Sequence, residues 1–200
     1  MKPSPALALL LSLAMATTAC GSHMNTPDIK QNPHPKMRYE ITLTINGAPQ
    51  GFDSVTGRMQ YEVTNEKCAP YDEFIGIYRT PDTQYPPIAF TRVSDHVYTG
   101  TVYLDLLQDE DYYDLGVCHW SMNFATAILL INGNGVNLGP SMSLDEVASQ
   151  KSVDIYFPIA NLSSGPTPAY GDGGERMSAS VAGFMGGPFS ITMSSKEVTP

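Results

Sequence analysis

The sequence predicts an all-β fold, a single β-sandwich. Sixteen prolines and 17 glycines in 200 residues punctuate the chain with turns too closely spaced for long helices. Between those turns apolar and polar residues alternate with a period of two, the pattern of a strand with one buried face. Hydrophobic residues make up 42% and charged residues 16%, enough apolar material for a core and too little charge for a disordered chain.

In chain order, Tyr39, Ile41, Leu43 and Ile45 alternate with Arg38, Glu40, Thr42 and Thr44. This half-buried strand ends in the turn chemistry of Asn46-Gly47. Met59, Tyr61 and Val63 alternate with Gln60, Glu62 and Thr64 in a second strand leading to Cys68. Phe74 to Tyr78 form a short third strand before Thr80-Pro81-Asp82, and Ile88 to Val93 a fourth. Ser94-Asp95 turns the chain into Val97 to Leu104. Leu115 to Ile131 is apolar on both parities: Met122, Phe124, Ile128 and Leu130 on one, Ala125, Ala127, Leu129 and Ile131 on the other. A strand buried on both faces looks like this, and so does a buried helix. Its Gly, Val, Trp and Thr content favours the strand, and Asn132-Gly133-Asn134-Gly135 terminates it. Ser143 to Gln150 is the one helical candidate, short and peripheral, with Asp145 and Glu146 suited to its first turn. Val153, Ile155 and Phe157 alternate with Ser152, Asp154 and Tyr156. Asn161 to Pro188, rich in Gly, Ser and Pro, form long loops before a last strand at Phe189, Ile191 and Met193. Roughly seven or eight such strands, spaced by turns, make a sandwich.

The N-terminus carries Lys2, an apolar run from Ala6 to Met15 broken by Ser12, then Ala16-Thr17-Thr18-Ala19 and Cys20. About ten apolar residues are too few to span a bilayer, which takes roughly 20, and suit the centre of a signal peptide. Small residues leading into Cys20-Gly21 resemble the bacterial lipobox, with Thr17 where that motif usually has Leu. The resemblance implies a signal peptide over 1–19, a lipidated Cys20 and anchorage to a membrane surface without spanning it. Gly21 is not the Asp that retains enteric lipoproteins at the inner membrane, which favours the outer membrane. A plain secretory signal with Cys20 incidental is the alternative. Gly21-Ser22-His23-Met24 matches a remnant of purification-tag removal and carries no fold information. Residues 20–36, polar with Pro27, Pro33 and Pro35, read as a lipidated N-terminus and flexible tether, leaving 37–196 as the domain.

An exported chain retains Cys68 and Cys118, which pair most simply with each other. A bond closing a loop of roughly 50 residues is worth about 4 kcal/mol in the chain-entropy model. A reactive thiol or a metal site is the alternative, although neither cysteine sits in a Cys-x-x-Cys pair.

The formal net charge is -9 and the basic residues number 11, scattered along the chain. That excludes a phosphate-binding surface and hence nucleic acid as a partner. An acidic surface favours basic partners, or simply keeps the protein soluble. The densest acidic segment holds Asp105, Asp109, Glu110, Asp111 and Asp114, with Tyr112 and Tyr113 among them, and runs on to Gly116-Val117-Cys118-His119-Trp120. Such carboxylates offer oxygen ligands to calcium, but the EF-hand Gly and bidentate Glu are missing. The other reading is a solvated acidic turn that discourages edge pairing. An Asp and a Tyr ahead of the second cysteine resemble the immunoglobulin pattern, loosely, since Trp120 follows that cysteine instead of lying between the two. This implies an immunoglobulin-like sandwich and nothing more specific. His23, His34, His96 and His119 are too dispersed for a metal cluster. The nucleophile motifs, the His-Glu-x-x-His pattern and the P-loop are missing, so no enzyme, metal or cofactor is expected.

Five segments together resemble a group of small proteobacterial envelope lipoproteins, over roughly residues 38–125. They are Tyr39–Ile45, Gly51-Phe52-Asp53-Ser54, Asp95–Tyr103, Asp109–Tyr113 and Gly116–Trp120. Similar lipoproteins are encoded beside antibacterial effectors of contact-dependent secretion systems and serve as immunity proteins. The resemblance implies a protein that binds and neutralises a periplasm-delivered effector by surface contact. The partner-binding residues would be Asp105, Asp109, Glu110, Asp111, Tyr112 and Asp114, with Tyr112 as an exposed aromatic anchor. The alternative is a calcium-, glycan- or protein-binding structural module of the envelope.

Overall fold

A computed structural model describes residues 26–131, 135–162, 172–176, 183, 186 and 187, and 188–198. The expected signal peptide, Cys20, and Gly21 to Met24 lie outside these residues, as do Asn132 to Asn134 and much of the loop region before Pro188. Among the described residues no helix is long and apolar enough to cross a membrane.

Alternation at the start of the domain produces β1 (Arg38–Asn46), whose Tyr39, Ile41, Leu43 and Ile45 are buried. Successive side chains on a strand point to opposite faces, so this set makes one apolar surface. β1 lies at the centre of the first sheet, between β12 (Pro188–Glu197) and β7 (Val97–Tyr103). β11 (Val153–Pro158) extends the sheet beyond β12, and β6 (Phe90–Ser94) extends it beyond β7, every pairing antiparallel. The second sheet has the order β10-β8-β2-β5, formed by β10 (Ser141–Ser143), β8 (Trp120–Ile131), β2 (Ser54–Val63) and β5 (Pro87–Ile88). β9 (Val136–Leu138) pairs with the far part of β8. Side chains from both sheets form one buried cluster: Ile41, Leu43, Val102 and Ile191 from the first, with Met59, Tyr61, Met122 and Leu129 from the second. The fold is a mostly β sandwich. Its short helix α1 (Leu144–Ala148) begins with a capping box in which the Ser143 hydroxyl and the Glu146 carboxylate each accept from the other's backbone amide.

The expected strand from Leu115 to Ile131 is a strand, beginning at Trp120, but it is not buried on both faces. Gln60 pairs with Phe124 and Tyr61 with Met122, so Asn123 is an extra residue, a bulge. The inward set therefore switches from Met122 to Ala125, Ala127 and Leu129, while Phe124 is exposed on the outer face. The run expected at Ile88 to Val93 also divides. Ile88 belongs to the second sheet and Phe90 to the first, so the chain crosses between the sheets at Ala89. Phe74 to Tyr78 is not a strand but the turn and return of a tight hairpin, β3 (Tyr71–Asp72) and β4 (Ile77–Tyr78).

The tether expected over 20–36 is docked where it is described. Ile29 packs against the core, Gln31 bridges to Leu107, and the Asn32 amide donates to the Leu106 carbonyl at 2.7 Å. Polar, proline-bearing composition concealed this strap because many of its bonds are made by backbone groups, which composition does not report.

The crossing at Ala89 depends on Gly57. A Cβ there would stand 2.6 Å from the Thr126 carbonyl oxygen and 2.8 Å from the Phe90 ring. Gly57→Ala is expected to destabilise the domain by about 1–3 kcal/mol in chemical denaturation. Gly51→Ala, where a Cβ meets nothing within 4 Å, is expected to stay within about 0.5 kcal/mol.

Candidate functional site

Cys68 and Cys118 are joined, as the sequence suggested. The bond does not cross the inter-sheet core as in an immunoglobulin domain. β2 and β8 are neighbours in one sheet, ending at the pair Val63 and Trp120, and the disulfide closes the chain just beyond that end. Ala69, Val63, Tyr112 and Tyr113 pack around it in a small cluster separate from the main core. Trp120 packs on the main core. Asn65 adds a second clamp: its side-chain amide donates to the Val117 carbonyl at 2.7 Å, and its oxygen accepts from the His119 amide at 2.7 Å. Two loops, 64–80 and 105–118, are thereby held side by side.

The acidic loop uses most of its carboxylates on its own chain. Asp105 accepts from the backbone amides of Lys36 and Met37 at 2.8 and 3.0 Å, fixing the strap. Asp109 accepts from the Trp120 amide at 2.9 Å and meets His119 Nδ1 at 2.6 Å. Glu110 pairs with Lys30 at 3.0 Å. That contact holds the Lys30 pKa above its ordinary value, chiefly through the hydrogen bond. Asp111 accepts from the Leu115 amide at 3.0 Å and closes the turn. Asp114 is exposed, in the left-handed region at φ 57°. Tyr112 is not the exposed anchor that the sequence suggested. It is half-buried, its hydroxyl donating to the Gln108 carbonyl at 3.0 Å and accepting from the Trp120 indole at 3.1 Å. Burial pushes its phenol pKa up, as it does for Tyr113. An open cleft of about 480 Å³ lies between strap and loop, with Met37, Leu104, Asp105, Asp109 and Trp120 in its wall. Among the described residues no three metal-ligating side chains converge.

The feature that sequence reasoning missed is the β3–β4 hairpin. Its tip exposes Phe74 at 96%, with Tyr71, Ile75 and Ile77 about half exposed beside it. Across the staple, Leu115 and Val117 are exposed as well. The tip backbone is fixed. One Asp72 carboxylate oxygen accepts from the Phe74 and Ile75 amides at 3.0 and 3.2 Å, an Asx turn, and the other accepts from the Arg79 guanidinium. Gly76 takes φ 75°, which suits glycine, and donates to the Asp72 carbonyl at 2.8 Å. The Tyr71 and Tyr78 rings pack at 5.0 Å across the pair. The legible signal was Asp72 followed four residues later by Gly76, turn punctuation inside an apolar run. No protein-family model, no curated protein and no solved structure matches the chain.

The Arg79 hydrogen bond, and then the Ile75 amide, hold the Asp72 carboxyl below its ordinary value of 3.8. A depressed carboxyl stabilises the folded form at pH above its unfolded value and loses that contribution as pH falls through the lowered folded value. The Phe74 and Ile75 amide signals in NMR are therefore expected to titrate together only below about pH 4, a step that Asp72→Asn abolishes.

Proposed function

We propose that the chain is a lipoprotein of the bacterial envelope, anchored through Cys20 and facing the periplasm, that binds an antibacterial effector delivered there and neutralises it. Inhibition of this kind acts by surface contact and needs no chemistry of the inhibitor's own. The outer membrane suits the Gly21 that follows the acylated cysteine.

One observation carries the reading. The disulfide-stapled end ties two loops together, and both loops carry exposed apolar side chains and exposed carboxylates. A surface ordered before binding loses little conformational freedom when a partner docks. Carboxylates around it favour a basic groove and speed the encounter. A disulfide of this kind persists in the oxidising compartment where such an effector would be met.

The acidic loop contributes to this surface differently from what its sequence implied. Asp105, Asp109 and Asp111 shape the end by holding backbone amides, while Asp111 and Asp114, both exposed, would meet a partner's cations. Mixed with the product of its adjacent gene, the purified exported protein is expected to form a complex with a dissociation constant at or below about 10 nM, its association slowed by salt. Failure to bind at micromolar concentrations in calorimetry would refute the reading.

A further inference from the structure

Scattered exposed apolar residues are ordinary on a protein surface, whereas a contiguous set marks a place that is covered in function. Tyr71, Phe74, Ile75 and Ile77 occupy one short hairpin, and Leu115 and Val117 lie on the loop that the disulfide and Asn65 hold beside its root. The Asp72 turn, the Arg79 clamp and the ring pair hold that hairpin in one shape. Its apolar tip is thus presented on a braced turn.

Charge separates the occupants that an apolar tip could take. Glu66, Glu73, Asp111 and Asp114 on these two loops, and Asp82 just after the first, are all exposed. Within 66–82 and 110–118 the only basic residues are Lys67 and Arg79, and Asp72 already holds Arg79. An anionic membrane surface attracts Lys and Arg and repels such carboxylates. A second copy of the chain would bring the same negative surface against this one. A protein with an apolar pocket and a basic rim has the matching chemistry. A projecting tip requires that pocket to be concave.

We propose that the β3–β4 hairpin is the element that enters the partner, with Phe74 and Ile75 filling an apolar pocket and Glu73, Asp111 and Asp114 meeting lysines and arginines on its rim. This deepens the reading above and rests on it only for the partner's identity as an effector. An effector blocked this way is occluded at a cleft and not at a flat face.

The test replaces Phe74, and separately Val93 of β6, with a photoreactive benzoylphenylalanine in the full-length exported protein in cells. Val93 is 63% exposed and serves as the surface control. Position 74 is expected to cross-link a protein, through a peptide bearing Lys or Arg near apolar residues, and position 93 is not. With that protein purified, Phe74→Ser is expected to weaken binding roughly tenfold or more, as loss of a central aromatic anchor does. The melting temperature should not move, since Phe74 is 96% exposed. Cross-linking to lipid, to a second copy, only through position 93, or to nothing would overturn the proposal. So would a Phe74→Ser affinity within about twofold of the original. A partner joined through position 74 that has no antibacterial activity would remove the immunity reading and leave the hairpin assignment standing. An adjacent-gene product bound tightly without need of Phe74 would do the reverse.

Discussion

The bond between Cys68 and Cys118 is the constraint on which this end of the molecule depends. It lies beyond the last β2–β8 pair, just past the Thr64 amide that donates to the His119 carbonyl at 2.9 Å. Without it, the hairpin loop and the acidic loop would be joined mainly through Thr64, Asn65 and the small cluster of Tyr112 and Tyr113. A 50-residue separation makes the covalent link worth about 4 kcal/mol through the unfolded chain alone. Its local effect matters as much here, because it ties the hairpin loop to the acidic loop.

The same economy governs the charges. A net charge of -9 could suggest a broad acidic face. Instead Asp105 holds the strap, Asp109 holds the start of β8, Glu110 meets Lys30 and Asp72 holds the hairpin tip. Asp105, Asp109 and Asp72 accept from backbone amides, a more structural role than that of the exposed Lys30–Glu110 pair. What remains is a smaller set of exposed carboxylates on the loops that carry the exposed apolar side chains, the composition that the proposed contact surface calls for.

Period-two alternation made β1, β7, β11 and β12 legible, because one residue in two faces a single core. Asp145 and Glu146, suited to a first helical turn, made α1 legible for a similarly local reason, while its capping box was not read. With Cys20 set aside, the pairing of Cys68 and Cys118 followed from their being the only cysteines left. Features that depend on long-range registry were hidden. The bulge at Asn123 mixed the parities of β8 and imitated a strand buried on both sides. The change of sheet at Ala89 left no mark on the alternation. Phe74 was read as a strand residue because apolarity alone does not tell a buried side chain from one held outward by an Asx turn. At the candidate site the disulfide and the acidic run were visible, but which carboxylates were already engaged depended on partners as distant as Lys30 and Lys36.

Hydrogen exchange of the oxidised and the reduced protein, followed amide by amide, tests most directly whether the staple organises this surface. On reduction, the amides of Arg79, Cys118 and His119, which bond to Pro70, Glu110 and Asn65, should exchange at least about tenfold faster. Those at the centres of β1 and β12 should keep their protection. Unchanged exchange at the three loop amides, or loss of protection throughout the sandwich, would contradict the account.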